Sequence, residues 1–269
     1  IVDTLKGTFV SIVIGAPLLT AVIWLYQRFT DRFWLYGWLL VSIFSLFMFA
    51  FGTKLILPLF NKLTPLTEGE LATDIRRYCD NQGYSLKNLF VMDGSKRSTK
   101  ANAFFSGLGK SKTIVLFDTL LEKLTKREVV AVLAHEIGHY KLRHTLAMLI
   151  ASNLQTLAVF ALLGWSLKYP ELSTSLGAEK ASFHLSALTF FILLTPLQLA
   201  LGLINNSLSR HNEFSADTFA AKTYDRAAMR TALSKISTDS LANLTPHPLY
   251  VAFNYTHPTL SQRINNVGN

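Results

Sequence analysis

The chain has 269 residues, of which 50% are hydrophobic and only 16% are charged, and its mean hydropathy is positive. This composition is too apolar for an ordinary soluble domain. The net charge of +9 comes from Lys and Arg residues that are scattered without a dense basic run, which indicates attraction to anionic lipid head groups and not a nucleic-acid partner.

Four long uncharged segments organise the sequence, and each is at least as long as the roughly 20 residues that a helix needs to cross a bilayer. They are 7–27, 34–53, 145–167 and 183–209. The first is not a signal peptide, because it lacks a small-residue cleavage site and a second segment follows almost at once. The chain also begins without a methionine, so we expect further segments to precede it. The pattern predicts a mainly α, polytopic helical membrane protein.

These segments divide the chain into four parts. Two transmembrane helices occupy 1–60 and two more occupy 145–206, while 61–144 and 207–269 carry most of the polar sequence. Because two spans separate the polar parts, both are expected on the same side of the membrane. The part 61–144 holds more than half of the 26 Lys and Arg residues, so the positive-inside rule predicts that this side is cytoplasmic.

Between the second and third spans, the sequence predicts helices and a small β element. Residues 65–82 have the pattern of an amphipathic helix. The runs NLFVMDGS (88–95) and TIVLFD (113–118) are rich in β-formers and predict a small β-hairpin or sheet. Thr125 followed by Glu128 predicts the start of the next helix, which we expect to continue into the third span.

This last helix carries HEIGH, which matches the pattern H-E-x-x-H at His135, Glu136 and His139. Residues four apart share one face of a helix, so both imidazoles can bind one metal ion. Glu136 lies beside that face, where a carboxylate can take a proton from a water that zinc has acidified. The preceding VVAVLA is apolar, so a solvated helix face is not expected. The pattern predicts a zinc metalloprotease site with one Zn²⁺ per chain.

A catalytic zinc site needs a third protein ligand. The long zinc-protease motif that ends in a third His is excluded, because Thr145 stands at that position. The next carboxylates on the same side of the membrane are Glu213 and Asp217, four residues apart. Glu213 is predicted to be the third ligand, which makes the site gluzincin-type, and Asp217 to accept a hydrogen bond from a ligand imidazole. His144 and His211 are rival ligands, although His144 is expected to point away from His139 and His211 is expected to face away from Glu213.

The segment YTHPTLSQRI (255–264) is the last feature that suggests chemistry. His257 precedes a proline, so its backbone is expected to be extended or in a turn. In that position it could donate a hydrogen bond to a developing oxyanion. The alternative is a histidine on a surface loop.

Together these motifs resemble the type I CAAX prenyl endopeptidases, which are integral-membrane zinc metallopeptidases. The resemblance covers nearly the whole chain. It rests on FWLYGW (33–38), LPLFNKLTPLTEGEL (57–71), GSKRSTKANAFFSGLGKSKTIVLFDTLL (94–121), HEIGH, NNSLSRHNEFSAD (205–217) and HPTLSQRI (257–264). Animal and yeast members tend to have His where this chain has Lys100, so the chain looks most similar to the bacterial branch.

The resemblance implies further roles for particular residues. A strand around Asn102, Ala103 and Phe104 would lie beside the active site and pair with an extended substrate. Arg210 would also lie near the site, and His257 would lie near the zinc. Members of the family have more than four spans, which enclose an intramembrane chamber, so this chain is expected to lack N-terminal spans.

We therefore expect a zinc-dependent endopeptidase that cleaves peptide bonds near the C-terminus of membrane-associated or prenylated (CAAX) proteins. Its partners would be a peptide or protein substrate and the lipid bilayer, without nucleic acid. The expected location is the bacterial inner membrane, or the endoplasmic reticulum membrane in a eukaryote. One alternative is a heat-shock-type zinc protease for membrane protein quality control, which FWLYGW and LPLFNKLTP disfavour. The other is a scaffold or transporter with a metal site, which the intact Glu136 disfavours.

Overall fold

The computed structural model describes residues 2–106, 112–177, 179–180, 182–239 and 241–268. Helices α1 to α3 and strand β1 are Val2–Arg28, Phe33–Leu55, Leu57–Phe60 and Leu63–Pro65. Helix α4 and strands β2 to β4 follow at Glu70–Asn81, Leu86–Met92, Ala103–Ser106 and Lys112–Phe117. Helices α5 to α9 are Asp118–Lys123, Lys126–Lys141, His144–Ser166, Glu171–Thr174 and Phe183–Ala220. A π-helical turn, Ala221–Asp225, leads into α10 (Arg226–Asp239), α11 (Pro248–Asn254) and α12 (Leu260–Gly268).

The chain divides into two compact units. One consists of the residues up to 52 together with 146–201, and the other of 53–145 and 202–269. Four helices in the described ranges are long and apolar enough to cross a membrane, and each of the four uncharged segments lies in one of them to within one residue beyond Ser166. The expectation of four candidate spans is therefore confirmed.

The first unit consists of apolar helices around a small aromatic and aliphatic core. Phe33 is fully buried there and packs with Leu163 and Phe190. Helices α2 and α7 approach closely, because a Cβ placed on Gly37 would lie 2.6 Å from the ring of Phe160. Small residues at helix contacts are typical of membrane bundles. Many large apolar side chains on the outer surface of these helices are exposed, as lipid contact requires.

The second unit contains a four-stranded sheet in the order β1-β2-β4-β3. Strand β1 is antiparallel to β2, β2 is parallel to β4, and β3 is antiparallel to β4. The expected sheet is confirmed, but a hairpin of the two β-rich runs is wrong because those runs are parallel. Parallel neighbours need a crossover connection, and here part of the connection is itself the edge strand β3.

Helix α6 is the centre of the second unit, and its residues 128–138 are buried or partly buried. Its apolar side chains, including Val130, Leu133 and Ile137, belong to the core cluster that also contains residues of the sheet, α4 and α10. The predicted capping box at its start is confirmed, since Thr125 and Glu128 cap each other's backbone N–H groups. A rigid, well-capped helix is a suitable support for reactive side chains.

The expected continuation of this helix into the third span is wrong. Helix α6 ends at Lys141 and α7 begins at His144. Between them Arg143 has φ 58°, in the left-handed region, which is outside the right-handed helical conformation and so interrupts the helix. The two helices are therefore separate elements, joined by a tight break that no glycine or proline signals in the sequence.

Candidate active site

Two helices and the C-terminal segment provide the predicted reactive residues. Helix α6 carries His135, Glu136 and His139, and the C-terminal part of α9 carries Glu213 and Asp217. These helices touch at Gly138, where an added Cβ would lie 3.2 Å from Cα of Ala216. The absent side chain lets α9 bring its carboxylates against the two imidazoles.

The side chains of His135, His139 and Glu213 converge on one point. The two histidine Nε2 atoms lie 3.1 Å apart. Glu213 Oε2 lies 3.5 Å from His135 Nε2, and Glu213 Oε1 lies 3.3 Å from His139 Nε2. One ligand atom from each residue lies within 4.8 Å of the other two, so the three can bind a single metal ion.

The chemistry of this donor set fits a divalent cation. In the described structure, Glu213 Oε2 is buried and accepts no hydrogen bond, although Nη2 of Arg263 lies 3.4 Å away, so its lone pairs remain available to a further cation. The Nε2 atoms of His135 and His139 face each other at 3.1 Å, and a single metal ion can bind both of them when neither carries a proton. Burial lowers the pKa of His139, but the hydrogen bond to Glu213 and its charge outweigh this and raise that pKa overall. The site therefore attracts positive charge.

Asp217 lies behind His135, as the sequence predicts for an orienting carboxylate. It is completely buried, and its Oδ1 lies 2.8 Å from His135 Nδ1. A proton held on Nδ1 by this contact leaves the Nε2 lone pair free for a metal.

Arg263 is the residue that sequence reasoning missed. Its guanidinium donates two hydrogen bonds to Asp217, at 2.8 Å from Nε and 2.6 Å from Nη2, and Nη2 also lies 3.4 Å from Glu213 Oε2. Only 15% of its side chain is exposed. The available signal was charge balance, since a buried aspartate next to a second carboxylate needs a cationic partner.

Burial raises the pKa of the Glu136 carboxyl by more than the charges of His135 and His139 lower it. A carboxylate with a raised pKa is a stronger proton acceptor, which suits a general base. Glu136 is next to His135 in sequence, and the direction of its pKa shift is compatible with a role as proton acceptor.

His257 belongs to the same constellation. Its Nε2 lies 3.5 Å from Glu213 Oε1, while its side chain remains mostly exposed. Arg210 donates from Nη1 to the carbonyl oxygens of Tyr255, at 2.8 Å, and Val251, at 3.2 Å. Its guanidinium therefore holds the backbone that leads to His257.

The residues assigned to substrate binding lie at the edge of the sheet. Strand β3 begins at Ala103, one residue later than expected, although Asn102 O still accepts a hydrogen bond from Phe117 N at 3.0 Å. Ala103 is buried and Phe104 is partly buried, and β3 packs against α6. In the described sheet β3 is a terminal strand, so its outer edge is of the kind that accepts an extended peptide.

The rival ligands His211 and His144 differ in their exposure and in their contacts. His211 is exposed and lines a cavity with Phe214 and Lys222. His144 is partly buried, and its Nδ1 lies 3.1 Å from Nδ1 of His139. It therefore contacts His139 at Nδ1, whereas the candidate ligand atoms converge at Nε2 of that ring.

Substitution of Gly138 by alanine is expected to weaken metal binding. The new Cβ would meet Cα of Ala216, so α6 and α9 must separate by a few tenths of an ångström and draw Glu213 away from the histidines. Such overpacking typically costs about 1–3 kcal/mol. The measurements are chelator competition and thermal unfolding. Gly202→Ala in α9 is the matched control, because its added Cβ meets no atom of the described residues within 4 Å apart from the adjoining backbone of its own helix. Equal metal retention by the two variants would contradict the prediction.

The fold and the site define a polytopic helical membrane protein of the metallopeptidase class. Residues 65–269 match the profile of peptidase family M48, and residues 1–62 match that of the CAAX prenyl protease N-terminal region with five membrane helices. The chain belongs to peptidase family M48. It is an integral membrane protein.

Curated relatives and a solved structure agree with this membership. CAAX prenyl protease 1 homolog of Arabidopsis thaliana is 38% identical over 97% of the chain. CAAX prenyl protease 1 of Saccharomyces cerevisiae is 34% identical over 98% of the chain. The crystal structure of S. mikatae Ste24p superposes with a TM-score of 0.94 at 34% identity, over 100% of this chain and 66% of that one. The chain spans 62% of the length of these two curated relatives.

Proposed function

We propose that this chain is the catalytic part of a zinc-dependent endopeptidase in which His135, His139 and Glu213 bind one Zn²⁺. The observation that carries the proposal is the convergence of two imidazole nitrogens and a buried carboxylate that has an oxygen without a hydrogen bond in the described structure. Two histidines and a glutamate leave a coordination position open for water, as catalytic zinc sites do. Membership of a metallopeptidase family supports the same assignment.

The protein's own residues divide the work of hydrolysis. Zinc, when bound, supplies Lewis acidity that polarises the scissile carbonyl and acidifies a water molecule. Glu136 accepts the proton of the attacking water and later delivers it to the nitrogen of the leaving amine. His257 donates a hydrogen bond from Nε2 to the carbonyl oxygen as negative charge develops there. Asp217 keeps His135 in the orientation that binds metal.

Substrate binding is assigned to the outer edge of β3. An extended peptide would add a strand beside Ala103 and Phe104, and Asn102 would lie at the start of that pairing. Recognition through the main chain is tolerant of side-chain differences, which suits an endopeptidase with several substrates. Arg210 then acts through the segment that carries His257, because its guanidinium is already bonded to backbone carbonyls there.

The substrate class is a peptide near the C-terminus of a membrane-associated, prenylated CAAX protein. The names of the relatives support this class over a heat-shock-type quality-control protease. The protein works at the lipid bilayer, and its catalytic residues, drawn from 61–144 and 207–269, face the cytoplasm. A bacterial inner membrane is our proposed location, and the endoplasmic reticulum membrane is its counterpart in a eukaryote.

Peptide cleavage by the purified chain in detergent tests this function. We expect the metal-loaded protein to release the C-terminal tripeptide from a farnesylated CAAX peptide, and the unprenylated twin to be cleaved more slowly. A chelator should abolish the reaction and added Zn²⁺ should restore it. Cleavage of unfolded membrane protein but of neither peptide would favour the quality-control protease. A chain that binds metal and cleaves nothing would favour the scaffold.

A further inference from the structure

The break between α6 and α7 brings the side chain of His144 against His139, one of the three candidate metal ligands. At the break, Leu142 N donates to Gly138 O at 2.9 Å and Arg143 N donates to Tyr140 O at 3.1 Å. Arg143 has φ 58°, which costs a residue with a Cβ about 1–2 kcal/mol. Such backbone strain persists only where the surrounding structure enforces it, and it is often found at functional sites. The next residue is His144.

The result of this turn is a contact between two histidines. His144 Nδ1 lies 3.1 Å from His139 Nδ1, and the two rings meet edge to face at 74°. In an unbroken helix, residues five apart do not share a face. The break at Arg143 therefore allows the contact between His139 and His144, which a continuous α-helix would prevent.

The two ring nitrogens of His139 face different partners. Its Nε2 faces Glu213 Oε1 at 3.3 Å and the Nε2 of His135. A neutral imidazole that offers the Nε2 lone pair to a metal carries its proton on Nδ1, and that proton needs an acceptor. For His135 the acceptor is Asp217. For His139 the atom at hydrogen-bond distance from Nδ1 is Nδ1 of His144.

We propose that His144 is a positioning residue that accepts the Nδ1 hydrogen bond of His139 and so fixes the tautomer and ring orientation of that metal ligand. This inference rests on the proposed metal site. His144 is neutral in this role, with its own proton on Nε2. It is not a fourth ligand, because it contacts Nδ1 of His139, whereas the ligand atoms converge at Nε2. Partners of this kind typically contribute a factor of about 10–100 in metal affinity.

Two substitutions separate orientation from simple packing. His144→Leu fills a similar space but offers no acceptor. His144→Asn places an amide oxygen close to the former Nδ1 and keeps the acceptor. Each variant and the wild-type chain would be purified in detergent and loaded with Co²⁺. The transfer of Co²⁺ to the coloured chelator 4-(2-pyridylazo)resorcinol and the visible spectrum of bound Co²⁺ would then be recorded.

We expect His144→Leu to bind Co²⁺ about 10–100-fold more weakly and to show a changed Co²⁺ spectrum. His144→Asn should recover most of the affinity and the wild-type spectrum. The melting temperatures of the metal-free proteins should differ little, since one hydrogen bond between partly exposed side chains contributes little to folding. Equal retention by His144→Leu and the wild type, or equal loss by both variants, would overturn the proposal.

The readout needs no substrate, so it is independent of peptide cleavage. A chain that binds Co²⁺ but cleaves no peptide would contradict the proposed function and leave the role of His144 standing. A wild-type chain that binds no Co²⁺ would overturn the metal site and the role of His144 with it.

Discussion

Glu136→Gln is expected to abolish peptide cleavage while the protein retains its metal. Glutamine has almost the same shape but cannot take a proton from water, so the attacking nucleophile is not formed efficiently. General acid–base catalysis typically contributes about 10²–10⁴-fold, and a loss of this size is expected in kcat. Because the metal ligands are untouched, metal content and the melting temperature should stay close to those of the wild type.

The assay would follow cleavage of the farnesylated CAAX peptide and bound metal in the same preparations. His211→Gln is the matched control, since this exposed histidine lies two residues from Glu213 and outside the cluster. It should retain both metal and activity. Substantial cleavage by Glu136→Gln would show that another group acts as the base. Loss of metal by Glu136→Gln would show that the carboxylate helps to hold the ion.

The helical framework and the centre of the site follow from strong local signals in the sequence. Long uncharged segments predict the spans, because a backbone that crosses a bilayer must satisfy its own hydrogen bonds and a single segment does so as a helix. The i, i+4 spacing of His135 and His139 predicts their common face, and the same spacing pairs Glu213 with Asp217. These relations lie within single helices, where sequence distance fixes spatial distance.

What the sequence did not predict depends on contacts between distant segments or on an unmarked turn. Strands β2 and β4 pair in parallel while β3 lies on the outer edge of β4, an arrangement that the hydrophobic pattern alone does not show. The break at Arg143 has no glycine to mark it, so His144 was expected to point away from His139. Arg263 reaches Asp217 from 46 residues further along the chain, and only the fold brings the two together.

Arg263→Met is expected to destabilise the protein and to weaken metal binding together. The guanidinium bonds Asp217 through two nitrogens, and Asp217 in turn holds His135. Without Arg263, a fully buried carboxylate loses its cation, and such an uncompensated charge typically costs about 3–5 kcal/mol. Asp217 would then turn or take up a proton, and His135 would lose its orientation. Metal affinity should fall by about 10–100-fold.

Arg263→Lys should lie between the wild type and Arg263→Met, because lysine restores the charge but not the paired hydrogen bonds. The double variant Arg263→Met/Asp217→Asn should be more stable than Arg263→Met, since it buries no unpaired charge, yet its metal binding should stay weak. Thermal unfolding of the metal-free proteins and chelator competition would measure the two quantities separately. Comparison of Arg263→Met with the double variant separates the cost of the unpaired charge from the loss of orientation. If Arg263→Met kept wild-type metal affinity and melting temperature, the chain of contacts from Arg263 through Asp217 to His135 would have no part in building the site.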